Sequence, residues 1–285
     1  THHKAMGQPM WGRSTESLAL VDAANERGVD VSIDQYPYPA SSTGLQAVFP
    51  RWSLDGGKER IKARLDDPAQ RAKVKEGIVF ALINERGGND PSRVHLAQCR
   101  FDPSLNGLNL TEVLEQRELD VTVENAADLI MDFEYAGGCS CVYHAMSMQD
   151  VDRIMVHPKT MIASDGGIMA PGDNSPHPRN YGAFAKVLGE FVRERGLLSL
   201  TTAIHKMTQM PADRINLSDR GRIEVGAIAD IAVFDPDQII DTATFEDPHQ
   251  YALGVHHVLV NGVPALLDKN MTGARPGRVL RANRP

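Results

Sequence analysis

The residues best able to do chemistry stand in the stretch Ile162-Ala163-Ser164-Asp165-Gly166-Gly167 and in the loop that follows it. Met161, Ile162 and Ala163 bring the chain up to one carboxylate, Asp165, and glycines break it at once. That pattern predicts a short buried strand delivering an aspartate to the rim of a parallel sheet, where loops carry function. The loop Gly172-Asp173-Asn174-Ser175-Pro176-His177-Pro178-Arg179 then carries an arginine into the same neighbourhood. An aspartate at a strand end beside a cation suits a general base next to an anion clamp. The competing reading is structural, a buried Asp that caps a turn with Arg179 as its salt-bridge partner. Cys139-Ser140-Cys141 is a further pair of donor types, but two cysteines alone make no metal site. Small buried thiols are the simpler reading there. His205 reads as a surface or interface residue of a helix, and His256-His257 as ordinary strand residues.

These groups need elements to position them. After the loop Met6–Gly12, Ser14 is placed to cap a helix running roughly from Thr15 to Arg27, with Gly28 closing it. Val29 to Ile33 then reads as a strand ending in Asp34-Gln35-Tyr36-Pro37-Tyr38. Loop, helix, strand, loop from the first residue is the pattern of a barrel entered part-way round, and a fragment is expected. Between Ala47 and about Met146 the pattern changes, with helices at roughly Lys58–Leu65, Asp67–Asn84, Thr111–Arg117 and Val123–Phe133 and a strand at Val94–Cys99. About a hundred residues between two barrel strands is more than a loop needs, so a lid or a subdomain is expected there. Ser147 caps a helix Met148–Val156, and further helices follow at about Gly182–Arg195 and Ser199–Thr208. From Leu217 the chain turns to short β runs, with Asn261-Gly262 as a hairpin signal.

Composition narrows the class. At 285 residues there is room for one large domain or one and a half. A net charge of −7 without a lysine-arginine cluster argues against a nucleic-acid partner. No apolar run approaches the roughly 18–20 residues of a membrane span. Three cysteines, Cys99, Cys139 and Cys141, build no disulfide framework, which suits a reducing compartment, and a cytoplasmic protein is expected.

Taken in order, the motifs resemble those of the N-acyl-D-amino-acid deacylases of the amidohydrolase superfamily. The matching pieces are His2-His3-Lys4 with Trp11-Gly12, Asp34-Gln35-Tyr36-Pro37-Tyr38 with Ser41-Ser42-Thr43, and Ser164-Asp165-Gly166 with His177-Pro178-Arg179 and Tyr181-Gly182. Lys206-Met207-Thr208, Arg220-Gly221, Ala229-Asp230, Phe234-Asp235-Pro236 and Val260-Asn261-Gly262 continue the series. The resemblance implies an α/β fold, a (β/α)8 TIM barrel that is partial here, over residues 1–216 with a lid-like insertion at about 47–146. A small β-sandwich domain is implied for 217–285. It also implies zinc-dependent hydrolysis of the N-acyl amide of a small-molecule N-acyl-D-amino acid. His2 then matches a zinc-binding histidine at the end of the sixth barrel strand. Asp165 matches the general base at the end of the eighth, which also reaches a second, weaker metal. Lys4, Tyr36 and Arg179 match the residues that hold the substrate carboxylate, and Ser42 a serine lining that pocket.

Departures from the family pattern set a further expectation. The His-x-His after the first barrel strand, the zinc-binding cysteine and the fifth-strand histidine have no counterpart here. A site reduced to His2 and Asp165 has too few ligands for tight zinc, so the chain is expected to be inactive alone. Two other readings stay open: a cyclic amidase of the dihydroorotase or hydantoinase type, and a non-catalytic remnant or partner subunit.

Overall fold

The computed structural model describes residues 1–281. Helix α1 (Ser14–Glu26) leads the chain after its opening loop. Ser14 does not cap it, contrary to expectation, because a carboxylate from another helix takes that role. Asp150 accepts the Gly12 N–H at 2.7 Å and the Ser14 N–H at 3.3 Å, and the buried Ser14 hydroxyl donates to it as well. Strand β1 (Ile33–Gln35) comes next. The apolar run expected from Val29 enters the ladder only at its last residue, and pairing continues through Asp34 and Gln35.

Strand β2 (Ser41–Gly44) opens a second unit. Helix α2 (Gly57–Asp66) is followed by α3 (Pro68–Ala81), which Asp67 caps by accepting the Gln70 N–H at 2.8 Å. A π-helical turn, Leu82–Arg86, extends α3. Strand β3 (Val94–Cys99), helices α4 (Leu110–Gln116) and α5 (Val123–Ala136), and strand β4 (Cys139–Tyr143) complete the unit. Its sheet is antiparallel in the order β2-β4-β3. One face of that sheet joins the helices in a core that includes Leu45, Ile78, Leu96, Leu114, Ile130 and Phe133. Thus the sheet of the region expected from Ala47 already begins at Ser41.

Cys99 and Cys139 oppose each other in register across β3 and β4 and form a disulfide, while Cys141 is a buried thiol. This corrects the sequence reading in one respect: Cys99 and Cys139 do not remain thiols, because the register of β3 and β4 sets them opposite each other.

Ser147 caps α6 (Met148–Val156) by accepting the Gln149 N–H at 3.2 Å. Strand β5 (Thr160–Ile162) then lies parallel to β1, with Ile33 opposite Thr160 and Gln35 opposite Ile162. Leu18 and Val21 of α1 pack on Ile33 and on Ile154 of α6, so helices cover this parallel pair as in an α/β fold. Helix α7 (Arg179–Lys186) starts three residues before the expected Gly182 and continues as a π-helical stretch, Val187–Glu194. Helices α8 (Leu200–Met207), capped by Ser199, and α9 (Gln209–Arg214) follow. Buried Lys206 of α8 donates to the carbonyls of His157 and Thr160, fastening that helix under β5.

Strands β6 (Ile231–Phe234), β7 (Val255–Val260), β8 (Val263–Leu267) and β9 (Asn270–Met271) form an antiparallel sheet in chain order. Asn261 and Gly262 turn β7 into β8 with φ of 50° and 78°, the paired positive values of a type I′ hairpin. Where a sandwich was expected, the described residues hold one sheet layer, which leans on the α7 and α8 side through Phe234 and Val255. Gly221–Ala227, within the stretch where short β runs are expected from Leu217, forms no strand.

Candidate active site

Three neighbouring backbone segments deliver the candidate residues to one edge. His2 donates its N–H to Asp34 Oδ1 at 2.7 Å and His3 to the Asp34 carbonyl at 2.8 Å, laying the start of the chain beside β1. On the other side, the Ala163 N–H donates to the Gln35 carbonyl at 2.9 Å and carries the chain from β5 to Asp165. His2 Nε2 then stands 2.8 Å from Asp165 Oδ1, and Arg179 Nη1 stands 2.8 Å from Asp165 Oδ2. Both His2 and Asp165 hold left-handed backbone, with φ of 58° and 50°. That region is uncommon outside glycine. Gly166 is needed beside them, since a Cβ there would come within 2.9 Å of the Arg179 carbonyl.

Tyr36 is the hub of the cations. Arg179 lies over its ring at 4.8 Å and Lys4 at 5.4 Å. Lys4 Nζ also donates to the His2 carbonyl at 2.6 Å, and Arg179 Nη2 reaches the Ser42 carbonyl at 3.5 Å. Tyr36 and Arg179 are buried, and the Tyr36 hydroxyl has no hydrogen-bond partner among the described residues. The Tyr36 hydroxyl thus lacks an acceptor among the described residues, and a carboxylate would supply one. Burial pushes the Tyr36 phenol up to about 12, against the pull of Arg179, so it remains a donor at neutral pH. Burial also lowers the pKa of Lys4; Asp165 opposes this, while Arg86 and Arg179 add to it.

Thus His2, Lys4, Tyr36, Ser42, Asp165 and Arg179 are brought together, Ser42 through its carbonyl. The Asp165–Arg179 ion pair of the structural reading is present as well. Arg86 and His177 went unassigned in the sequence. Arg86, on the π-helical turn after α3, packs over the Tyr143 ring at 5.3 Å and stands 3.4 Å from Ser41 Oγ. It makes no ion pair among the described residues, and its charge is felt at both Lys4 and Tyr36. His177, 1% exposed, donates from Nε2 to the Ala40 carbonyl at 3.0 Å and accepts the Arg179 N–H on Nδ1 at 3.0 Å. Burial and the neighbouring Arg179 push its pKa down to about 3, so it stays neutral and fixes the start of α7. Its place between two prolines and Arg179 was the available signal.

Among the described residues no group of three or more His, Cys, Asp or Glu is placed to share a metal ion. His2 Nε2 and Asp165 Oδ1 form a pair of suitable donors and nothing more.

Known proteins resemble the chain in both sequence and fold. The profile of the amidohydrolase family matches residues 127–265. A D-aminoacylase of Alcaligenes xylosoxydans xylosoxydans is 38% identical over 280 residues, 98% of this chain and 48% of the relative. A crystal structure of D-aminoacylase superposes with a TM-score of 0.76 at 35% identity, covering 98% of this chain and 48% of that one. An N-acyl-D-glutamate deacylase of Bordetella bronchiseptica, solved with zinc and a phosphonate inhibitor, gives 0.73 at 33% identity over 99% of this chain and 49% of that one. The chain spans about half the length of these relatives. Along nearly all of its own length, the chain is thus similar in sequence and fold to members of the amidohydrolase family.

Proposed function

We propose that this chain carries the carboxylate clamp and the general base of a deacylase that hydrolyses the N-acyl amide of N-acyl-D-amino acids. The observation behind this reading is the convergence of Lys4, Arg179 and the unpartnered Tyr36 hydroxyl beside Asp165. Arg179 and Lys4 bind the α-carboxylate and Tyr36 donates to it, which leaves the amide facing Asp165. Asp165 takes the proton of the attacking water and returns it to the leaving nitrogen, releasing a D-amino acid and a carboxylate. Similarity to D-aminoacylase and to N-acyl-D-glutamate deacylase supports this substrate class.

Zinc is the cofactor that this reading implies. His2 and Asp165 fall short of the usual three or four zinc ligands, so the residues described do not complete its site. The chain is therefore expected to be inactive without further ligands. On the same reading, residues 1–216 are part of the barrel with a lid-like stretch at about 47–146, and 217–285 are a small β domain, of which 282–285 lie outside the described residues.

Titration of the chain with N-acetyl-D-methionine, followed by backbone-amide NMR, tests the clamp. Perturbation is expected around Lys4, Tyr36, Ser42 and Arg179. Arg179→Gln should weaken binding about tenfold or more, as for a charge-assisted hydrogen bond. Equal binding by that variant, or perturbation elsewhere only, would overturn the assignment.

A further inference from the structure

Arg179 holds Asp165 with the same guanidinium that is to hold the substrate. Its Nη1 stands 2.8 Å from Asp165 Oδ2 and its Nη2 3.5 Å from the Ser42 carbonyl. A carboxylate bound by the fork takes an N–H from each of two guanidinium nitrogens, so it competes with Asp165 for Arg179. His2 Nε2 still touches the other carboxylate oxygen at 2.8 Å, but it does not hold the backbone turn. The next residue of α7 does. Asn180 Oδ1 accepts the Gly167 N–H at 2.7 Å, two residues past Asp165. Gly166, between them, lies close against this turn of the helix, since a Cβ there would come within 3.1 Å of the Asn180 Cα.

The far end of the loop is fastened separately. Asn106 Nδ2 donates to the Asp173 carbonyl at 2.7 Å, His249 Nε2 to the Asn174 carbonyl at 2.8 Å, and the Ser175 N–H to the Ala97 carbonyl at 2.8 Å. All three lie beyond Gly172, and Ile168, next after Gly167, is fully exposed. We propose that Asn180 is a positioning residue, which keeps the turn at Asp165 in its left-handed form while Arg179 engages the substrate carboxylate. The proposal rests on the reading of Asp165 as base and Arg179 as clamp. A backbone φ of 50° is uncommon outside glycine and needs a neighbour to hold it. The bond from Gly167 to Asn180 involves neither the guanidinium nor the Asp165 side chain, so binding at the clamp leaves it intact.

Backbone NMR of the full chain, with and without N-acetyl-D-methionine, tests this in the wild type, Asn180→Ala and Asn180→Asp. In the wild type the ligand should shift Arg179, while the Asp165 carbon shifts, which report its φ, keep their left-handed values and the Gly167 amide stays protected. In Asn180→Ala the Gly167 amide should exchange about tenfold faster, the scale of one hydrogen bond, and the ligand should move the Asp165 shifts towards extended values. Asn180→Asp, which keeps the acceptor, should behave as the wild type. A purely structural role would alter free and bound protein alike. Release of the Gly167 amide when the wild type binds the ligand would overturn the proposal while the Arg179 site stands. So would an Asp165 turn that responds to the ligand no more in Asn180→Ala than in the wild type, or no rescue by Asn180→Asp. If the ligand leaves Arg179 unperturbed in the wild type, the clamp reading fails and the role of Asn180 fails with it.

Discussion

Asp165 combines three constraints: left-handed backbone, an imidazole on one oxygen and a guanidinium on the other. The neighbouring histidines make the same region sensitive to acid. His177 is pushed down to about 3 and His144 to about 4, the latter by burial and by His95 and Arg93 beside it, against the pull of Glu246. Below the ordinary value near 6.5, the unfolded chain binds protons that the folded chain refuses. Stability therefore falls as pH drops from about 6.5 towards 4, with His177 alone contributing about 1.4 kcal/mol per pH unit at its steepest. Urea unfolding of the wild type and His177→Phe at pH 7.5 and 5 checks this, the variant showing the shallower dependence. Asp165 and Arg179 were legible in the sequence because a lone carboxylate after an apolar run, then a cation, is a local pattern. The parts played by Arg86 and His177 were not legible, since they depend on contacts with Ser41, Tyr143 and Ala40 that only the fold creates.

At the scale of elements, capping chemistry decided what the sequence revealed. The helix Met148–Val156 after Ser147 and the strand Val94–Cys99 stand where expected, because a cap residue and a β-branched or apolar run fix them locally. Cys139–Tyr143 was not recognised as a strand, and its disulfide with Cys99 depends on a register that no local signal sets. Ser14 failed as a cap for the same reason, a distant carboxylate having taken its place. Close approach gives α7 its own requirement. A Cβ on Gly182 would lie 1.8 Å from Asp241 Oδ1, while Asp241 Oδ2 accepts the Tyr38 hydroxyl at 2.7 Å. Gly182→Ala should therefore destabilise the chain by about 1–3 kcal/mol, the usual cost of overpacking. Urea denaturation measures it, and an unchanged midpoint would mean that Asp241 swings aside freely.

Over the whole molecule, the chain presents one flank of the proposed site. A parallel pair, β1 and β5, brings His2, Tyr36 and Asp165 to a common edge, and the β2-β4-β3 sheet adds Ser42 from the side. The likeness to the amidohydrolases was legible from the ordered motifs, several of which, Asp34-Gln35 and Asn261-Gly262 among them, sit at a strand end or turn whose geometry limits the residue allowed. The single layer of the C-terminal sheet was not legible, since alternating β runs look alike in a sheet and in a sandwich. What the arrangement claims above all is a clamp and a base that need further ligands before a metal is held. Zinc per chain, after loading and dialysis against a weak chelator, tests that claim most directly. The account predicts well under one zinc retained per chain, and a further loss with His2→Ala. One zinc held tightly by each monomer would contradict it, and would require ligands beyond the His2 and Asp165 pair.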